Sequence, residues 1–212
     1  NVGHDLMASC RALLGDNEGF AAILGTGTNT CLYDGNDISL NIDSLGYFLG
    51  DEGSGSYIGK RIFADYMKGF LPKDLSHSFF EIYGLTNEDI FDHIYNKPMP
   101  NRFCASFSKF IYDFKDKYQD YVNSVVDYAF TAFFENLVIH YPNYKNYELN
   151  CVGSVGYSFR DVLSIVADRY EMGVGKIIRS PIDDLVDYDV KVKFLEEFVR
   201  LKKADYLVYE FL

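Results

Sequence analysis

Two glycine-rich stretches close together in the chain constrain its fold most strongly. One covers residues 43–56, DSLGYFLGDEGSGS, and the other is ILGTGTNTCLY at residues 23–33. Glycines mixed with acidic residues and hydroxyls, between apolar runs suited to strands and helices, let the backbone approach a ligand closely. We interpret the pair as the floor of a phosphate-handling cleft, and two ordinary turns are the plain alternative.

Composition narrows the class of protein and of partner. The 212 residues, 48% apolar and 17% aromatic, suit one large folded domain or one and a half. A net charge of -11 argues against nucleic acid or an anionic membrane surface as a partner. It favours a small neutral ligand, or a nucleotide whose charge is offset by a metal.

The cysteines and the hydropathy pattern indicate a compartment. Cys10, Cys31, Cys104 and Cys151 are widely separated and form no CxxC pair, so we expect reduced, buried thiols rather than disulfides or a zinc site. The sequence has no run of about 18 apolar residues, and its first residues carry no signal pattern. We therefore expect a cytoplasmic protein.

The first seventy residues predict a helix, a strand pair and a second helix. HDLMASCRALLG indicates a helix with Asp5 near its N-terminus, where an acid can cap it. Two strands follow, joined by the hairpin signal of residues 34–37, and residues 25–29 interrupt the first of them. The pattern of residues 54–71 then predicts a helix after the second glycine stretch.

The middle of the chain, about residues 72–141, is predicted to be helical and rich in aromatic residues. Phe107, Phe110 and Ile111 recur at helical spacing, as do Val126 and Phe130. We interpret these stripes as core rather than as a platform for stacking bases.

The last recognisable unit lies between residues 149 and 179. It predicts a strand at 149–152, a glycine turn at 153–156, a helix at 159–170 and a strand at 175–179. Domains of the α/β class that bind nucleotides place such a unit beside the ligand.

In this order the motifs resemble those of the N-acetylglucosamine kinase and BadF-type ATPase group, within the superfamily of actin, sugar kinases and heat-shock chaperones. The resemblance covers about residues 1–188 and rests on HDLMASCRALLG, ILGTGTN, GYFLGDEGSGSYIGK and CVGSVG. It implies an α/β, ribonuclease H-like (actin-like ATPase) lobe with a mixed central sheet, flanking helices and a helical insertion at about 72–141. Residues 189–212 form a tail that the resemblance does not place.

The resemblance also implies a role for each motif. Asp5 matches the catalytic aspartate, the general base for the sugar hydroxyl that attacks the γ-phosphate. The positions that match the nucleotide site are Gly25, Thr26 and Gly27 at the phosphates, and Gly153 and Ser154 beneath the adenosine. Those that match the sugar site are Thr28, Asn29, Gly46 and Asp51. The stretch at 43–56 thus moves from the phosphate to the sugar side. ATP and Mg²⁺ are the implied cofactors, and no residue of this chain is implied as a metal ligand.

One expected part of the superfamily does not occur in the sequence. An Asp-x-Gly-x-Thr loop normally opens the first lobe and grips the β and γ phosphates, and the 212 residues contain none. We therefore expect this chain to be the larger, C-terminal lobe, as a fragment or as a remnant protein. Efficient turnover would belong to the complete two-lobed protein, because closure of the lobes excludes water.

The leading hypothesis is ATP-dependent phosphorylation of an amino sugar, N-acetylglucosamine by preference. A non-catalytic sugar-binding or regulatory module is one alternative. Another is an ATPase that activates a redox partner, for which Cys31 or Cys151 would have to hold an iron–sulfur cluster. The sequence does not rank N-acetylglucosamine against other amino sugars, and it leaves a monomer and a homodimer both open.

Overall fold

A mixed sheet lies at the centre of the computed structural model, which describes residues 2–182, with side chains from Asp5 onward. Its five strands lie in the order β3-β2-β1-β4-β5. They are β1 (Glu18–Leu24), β2 (Thr28–Asp34), β3 (Ile38–Leu40), β4 (Glu148–Val152) and β5 (Gly173–Ile178). β1, β2 and β3 are antiparallel neighbours, whereas β4 runs parallel to β1 and to β5. The predicted α/β class with a mixed sheet is confirmed.

Helices cover both faces of this sheet. They are α1 (Val2–Leu14), α2 (Gly46–Leu49), α3 (Gly55–Met67), α4 (Lys73–Tyr83), α5 (Asn87–Tyr95), α6 (Pro100–Asp113), α7 (Gln119–Asn136), α8 (Ser154–Ser158) and α9 (Arg160–Arg169). Short 3-10 turns at Val138–His140 and Tyr144–Asn146 lead into β4. None of the helices within residues 2–182 is long and apolar enough to span a membrane.

The alternation of side chains along β1 divides the core in two. Phe20, Ala22 and Leu24 belong to a large cluster with the helices that follow α2. Ala21 and Ile23 belong to a smaller cluster with α1. Successive strand residues point to opposite faces, so a strand buried on both sides has apolar residues at every position. β1 is therefore the central strand around which both layers pack.

The helical middle of the chain is an aromatic core, as predicted. Phe107, Phe110, Ile111, Val126 and Phe130 are all buried. α3 and α6 approach so closely that a Cβ added to residue 59 would lie 1.9 Å from the Cys104 carbonyl oxygen, which only glycine avoids.

Two local predictions were wrong, and one lies outside the described residues. Residues 25–27 do not interrupt a strand: they form the turn between β1 and β2, where Leu24 pairs with Thr28. Residues 154–158 are helical rather than a turn, because the Tyr157 N–H donates to the Gly153 carbonyl and closes a helical turn. The predicted tail at 189–212 lies outside the described residues, as do residues 183–188 of the predicted lobe.

Candidate functional site

The candidate site lies at the carboxyl ends of β1 and β4, which are parallel neighbours. Ile23 pairs with Val152, so the turn at 25–27 and Gly153 follow the two strands at the same end of the sheet. Gly153 has φ +133, and a Cβ there would lie 2.3 Å from the Leu24 carbonyl oxygen. Only glycine permits this approach. The two predicted nucleotide motifs are thus in contact, at the sheet position where α/β domains bind ligands.

Asp51 connects the second glycine stretch to this turn. Its Oδ1 accepts hydrogen bonds from the Thr28 N–H at 3.0 Å and from the Ser44 hydroxyl at 3.3 Å. The Thr28 hydroxyl in turn donates to the Glu52 carbonyl at 2.6 Å. A Cβ on Gly27 would lie 3.0 Å from both carboxylate oxygens of Asp51, so residue 27 has little room for a side chain. The structure therefore brings Thr28 and Asp51 together.

The backbone at Asp51 is in a conformation that a non-glycine residue seldom adopts. Its φ is +59, in the left-handed region, and its side chain is only 6% exposed. Such a conformation persists where surrounding contacts fix it. The hydrogen bonds to Thr28 and Ser44 provide those contacts. Among the described residues Oδ2 takes no hydrogen bond, and it is the oxygen that a ligand hydroxyl could reach.

The start of α3 is not an anion site, which corrects the first interpretation of residues 43–56. Gly55 donates its N–H to the Gly25 carbonyl at 2.8 Å, and Ser56 donates to the Thr26 carbonyl at 3.1 Å. The Tyr57 N–H donates to the Ser54 hydroxyl, and the N–H of Ser54, the N-cap residue, donates to the Asp51 carbonyl at 3.1 Å. All four N–H groups that a helix normally leaves free are therefore occupied. The two hydrogen bonds from Gly55 and Ser56 form a seam that joins the turn at 25–27 to α3.

Gly46 and Asn29, both predicted at the sugar, lie in different surroundings. Gly46 begins α2 with φ +67, and no atom lies within 4 Å of a Cβ added there, so its surface is open. The Asn29 amide oxygen accepts hydrogen bonds from the Thr30 N–H and from the Asn41 side chain, each at 3.0 Å. Asn29 is thus engaged within the sheet rather than with Asp51.

Asp5 lies in the first turn of α1, as predicted, but within the helix rather than at its cap. The far end of α1 packs at the start of β1, since a Cβ on Gly19 would lie 2.8 Å from the Leu14 side chain. α1 therefore runs back along β1, which brings Asp5 towards the carboxyl ends of the strands. Leu6, the next residue, shares an apolar cluster with Val152 at the end of β4. The Asp5 side chain is exposed, and its carboxylate takes no hydrogen bond from any described residue.

A cavity of about 550 Å³ lies beside Ser154, between α6 and α8. Tyr112 and Tyr157 contribute rings to its wall, Arg179 contributes a cation, and Lys109 and Asp113 line it as an ion pair. This volume falls within the range of small-molecule sites, and tyrosine rings are suited to stacking on a planar base. The sequence pointed to Ser154, but not to the two tyrosines, because nothing in their spacing distinguishes them from core aromatics.

Sequence reasoning also missed Tyr141, a long-range support of the site. Its hydroxyl forms a hydrogen bond with the Thr30 hydroxyl at 2.8 Å and accepts the Ile42 N–H at 2.8 Å. It therefore anchors the segment that leads to Ser44 and Asp51. Tyr141 lies 111 residues from Thr30 and 99 from Ile42 along the chain, so no local pattern could reveal these contacts.

The cysteines do not suit an iron–sulfur cluster. Cys31 and Cys151 are buried, and the Cys31 sulfur lies 3.3 Å from that of Cys10. The hydrogen bond with Cys10, together with burial, raises the pKa of Cys31, and burial raises the pKa of Cys151 to about 12. Both thiols are thus held protonated, whereas a cluster needs thiolates. Nor do the described residues contain a group of three or more His, Cys, Asp or Glu side chains that could hold a metal ion.

Comparison with known proteins gives a clear relationship. No family model matches the chain, and no curated protein matches it. Among solved structures, it is similar to a proposed N-acetylglucosamine kinase from Porphyromonas gingivalis, with a TM-score of 0.82 and 42% identity over 87% of this chain. It also shares the fold of a proposed N-acetylglucosamine kinase from Chromobacterium violaceum, with a TM-score of 0.58 and 16% identity over 87% of this chain.

The chain spans 64% of the length of each of these two proteins. The resemblance carried by the four motifs is confirmed by the identity to the Porphyromonas gingivalis structure. The chain is similar in sequence and in fold to the proposed N-acetylglucosamine kinase from Porphyromonas gingivalis, and in fold to the protein from Chromobacterium violaceum.

Proposed function

We propose that the chain is the larger lobe of a kinase that transfers phosphate from ATP to an amino sugar, N-acetylglucosamine by preference. One observation carries the proposal: the turn at 25–27, Asp51 and Gly153 meet at the carboxyl ends of two parallel strands, and Asp5 lies at the same end of the sheet. The names of the two solved relatives supply the substrate class.

The proposed roles follow from what phosphoryl transfer needs. The reaction requires in-line positioning of two substrates and little covalent chemistry from the protein. Asp51, fixed by Thr28 and Ser44, accepts a sugar hydroxyl, and the open surface at Gly46 admits the ring. Asp5 receives the proton of the attacking hydroxyl, because its carboxylate is exposed and takes no hydrogen bond from the described residues.

The nucleotide is proposed to lie across the turn at 25–27, with its base in the cavity beside Ser154. A Cβ on Gly55 would lie 3.3 Å from Ala105 and from Ser108, two residues of that cavity, so cavity and turn adjoin. Mg²⁺ would be held mainly by the phosphates, as is usual for this ion. When bound it would spread the charge of the transferred phosphate.

At the level of the fold, we infer a ribonuclease H-like lobe over residues 1–188, with residues 72–141 inserted as a helical layer. The mixed sheet and the two related structures support this assignment. The four cysteines are free thiols, which favours a reducing compartment, so we place the reaction in the cytoplasm.

The first test is coupled release of ADP by the full-length protein over a panel of hexoses and hexosamines. We expect the highest kcat/KM with N-acetylglucosamine. A folded protein that is inactive with every sugar would contradict the proposal. Calorimetry on the 212-residue chain then addresses the binding-module alternative, which predicts hexosamine binding that ATP does not change.

The second test replaces the proposed base. Asp5→Asn should lower kcat by about 10²–10⁴-fold with little change in KM, since it removes only proton transfer. Asp161→Asn is the matched control, because Asp161 is also an exposed acid in the first turn of a helix, α9. It should keep full activity. A loss of tenfold or less in Asp5→Asn would exclude Asp5 as the base.

A further inference from the structure

A second cavity, separate from the proposed reaction site, lies between α2, α3 and α5. Its volume is about 670 Å³, within the range of sites that take small molecules. Phe63 and Met67 of α3 form one wall, and Phe91 and Tyr95 of α5 form the other. None of the residues that we propose for the sugar, the phosphates or the base lines it.

The charged groups of this cavity are all positive. Lys60 and Lys68 line it, together with the neutral Asn87, and no carboxylate is among its lining residues. The chain as a whole has 31 acidic and only 20 basic side chains, so an apolar cavity with two ammonium groups and no acid departs from its general character. Charge complementarity therefore favours an anion.

Lys60 is the group that an anion would meet. Its ammonium is half-buried, donates to the Tyr47 carbonyl at 2.7 Å, and lies 4.9 Å from the centre of the Tyr47 ring and 5.4 Å from that of Tyr57. No described residue forms an ion pair with it. Burial lowers its pKa, against the opposing effect of Cys104, Asp51 and Glu52. A half-buried cation without a direct counterion is stabilised by an anionic ligand.

The walls determine the rest of the ligand. Phenylalanine rings and a methionine side chain make up much of the lining, so an apolar body packs well here, whereas the many hydroxyls of a sugar or a nucleotide would find few hydrogen-bond partners. The cavity is open enough for a ligand to enter from solvent, since Phe91 and Tyr95 are themselves exposed.

We propose that this cavity binds a small amphipathic carboxylic acid, with its carboxylate on Lys60 and its apolar body between Phe63, Phe91 and Tyr95. This site does not depend on the kinase assignment. Its ligand would contact Tyr47, which directly follows Gly46 in α2, so acid and sugar would bind at neighbouring positions of one short helix.

Isothermal titration of the 212-residue chain with 4-phenylbutyrate tests the proposal. We expect saturable binding of the acid. The affinity for 4-phenylbutanol, the neutral alcohol of the same shape, should be at least about tenfold lower, because a hydrogen bond to a charged group typically contributes that much. Lys60→Met should lower the affinity for 4-phenylbutyrate by a similar factor. Lys145→Met is the control, since Lys145 pairs with Glu171 and does not line the cavity.

A second variant keeps the test valid if Lys60→Met does not fold. Ala64→Phe fills the cavity from α3 while leaving Lys60 in place, and should abolish binding of 4-phenylbutyrate. Equal affinity for the acid and the alcohol would overturn the assignment of an anion. Undiminished binding in Ala64→Phe, or no binding of the acid to the unmodified chain, would overturn the site.

Discussion

The two halves of the segment at residues 45–56 differ sharply, although both contain glycine. The first half, residues 45–49, is largely exposed: the Phe48 side chain is 87% accessible and nothing lies near a Cβ added to Gly46. The second half, residues 50–56, is buried apart from a half-buried Glu52, and a Cβ on Gly53 would lie 2.9 Å from the Phe133 side chain. In the first half the glycine lies at an open surface, and in the second half glycine permits close packing.

This contrast separates two structural environments within one motif. The buried half fixes Asp51 against Thr28 and joins the turn at 25–27 to α3, so its residues are constrained by the fold. In the exposed half Tyr47 packs against the core and accepts the Lys60 ammonium at its carbonyl, whereas Leu45, Phe48 and Leu49 are exposed. Substitutions in the two halves should therefore differ in their effect on stability, and the following four predictions are ordered from the largest effect to the smallest.

Gly53→Ala should be the most damaging of the four. Residue 53 has φ +78, and the new methyl group would lie 2.9 Å from Phe133 and 3.2 Å from Leu24. Left-handed strain and overpacking together should lower the free energy of unfolding by about 3 kcal/mol. Urea unfolding followed by circular dichroism measures it. A loss below about 1 kcal/mol would mean that the buried half is more compliant than its packing indicates.

Thr28→Val should have the next largest effect. Valine keeps the shape of threonine and suits β2, but it removes the hydroxyl that donates to the Glu52 carbonyl at 2.6 Å. The expected loss is about 1–2 kcal/mol, because a carbonyl that is partly buried loses its partner. Ser106→Ala, which removes an exposed hydroxyl bonded to the Phe103 carbonyl, is the control and should change stability by less than about 0.5 kcal/mol.

Gly46→Ala tests the exposed half directly. It carries the same change as Gly53→Ala at a similar φ, +67, but without any atom within 4 Å of the new methyl group. Only the backbone strain should remain, about 1 kcal/mol by the same unfolding measurement. If Gly46→Ala destabilised the protein as much as Gly53→Ala, backbone strain rather than packing would explain both, and the contrast between the halves would fail.

Phe48→Ser should have the smallest effect on stability. The ring is almost fully exposed, so the free energy of unfolding should change by less than about 0.5 kcal/mol in a thermal or urea experiment. Phe48 also borders the cavity between α2, α3 and α5, so its contribution would appear in ligand binding instead. A stability loss above 1 kcal/mol would show that the exposed half is part of the core.

Local patterns predicted those parts of the fold that local interactions determine. Ser54 accepts the Tyr57 N–H at the start of α3, and Thr86 and Asp89 form a capping box at the start of α5, so these helices begin where their sequences indicate. The aromatic stripes of α6 and α7 were predicted as core because their spacing alone places them on one face.

The turn at residues 25–27 could not be predicted in the same way. Apolar residues precede it and residues suited to strands follow it, so one interrupted strand and two paired strands have the same local pattern. The pairing of Leu24 with Thr28, and the contact with Gly153, decide between them in the folded chain.

The candidate site was predicted through the resemblance rather than through spacing. Asp51 lies 23 residues from Thr28, and nothing in that interval indicates that its carboxylate accepts the Thr28 N–H. The amide oxygen of Asn29, which the resemblance also implied at the sugar, accepts hydrogen bonds from the Thr30 N–H and from Asn41, just after β3. Family motifs therefore supplied the candidate residues, and the structure shows which of them contact one another.

The hydrogen-bonded seam between the turn at 25–27 and α3 has a consequence for conformational entropy. Glycine has more backbone freedom to lose than any other residue. Ordering a turn such as Gly-Thr-Gly around a ligand therefore usually costs much conformational entropy. Here the N–H groups of Gly55 and Ser56 hold the carbonyls of Gly25 and Thr26 before any ligand arrives. The loss of freedom occurs when the chain folds, so a ligand that contacts this turn binds to a surface already in order.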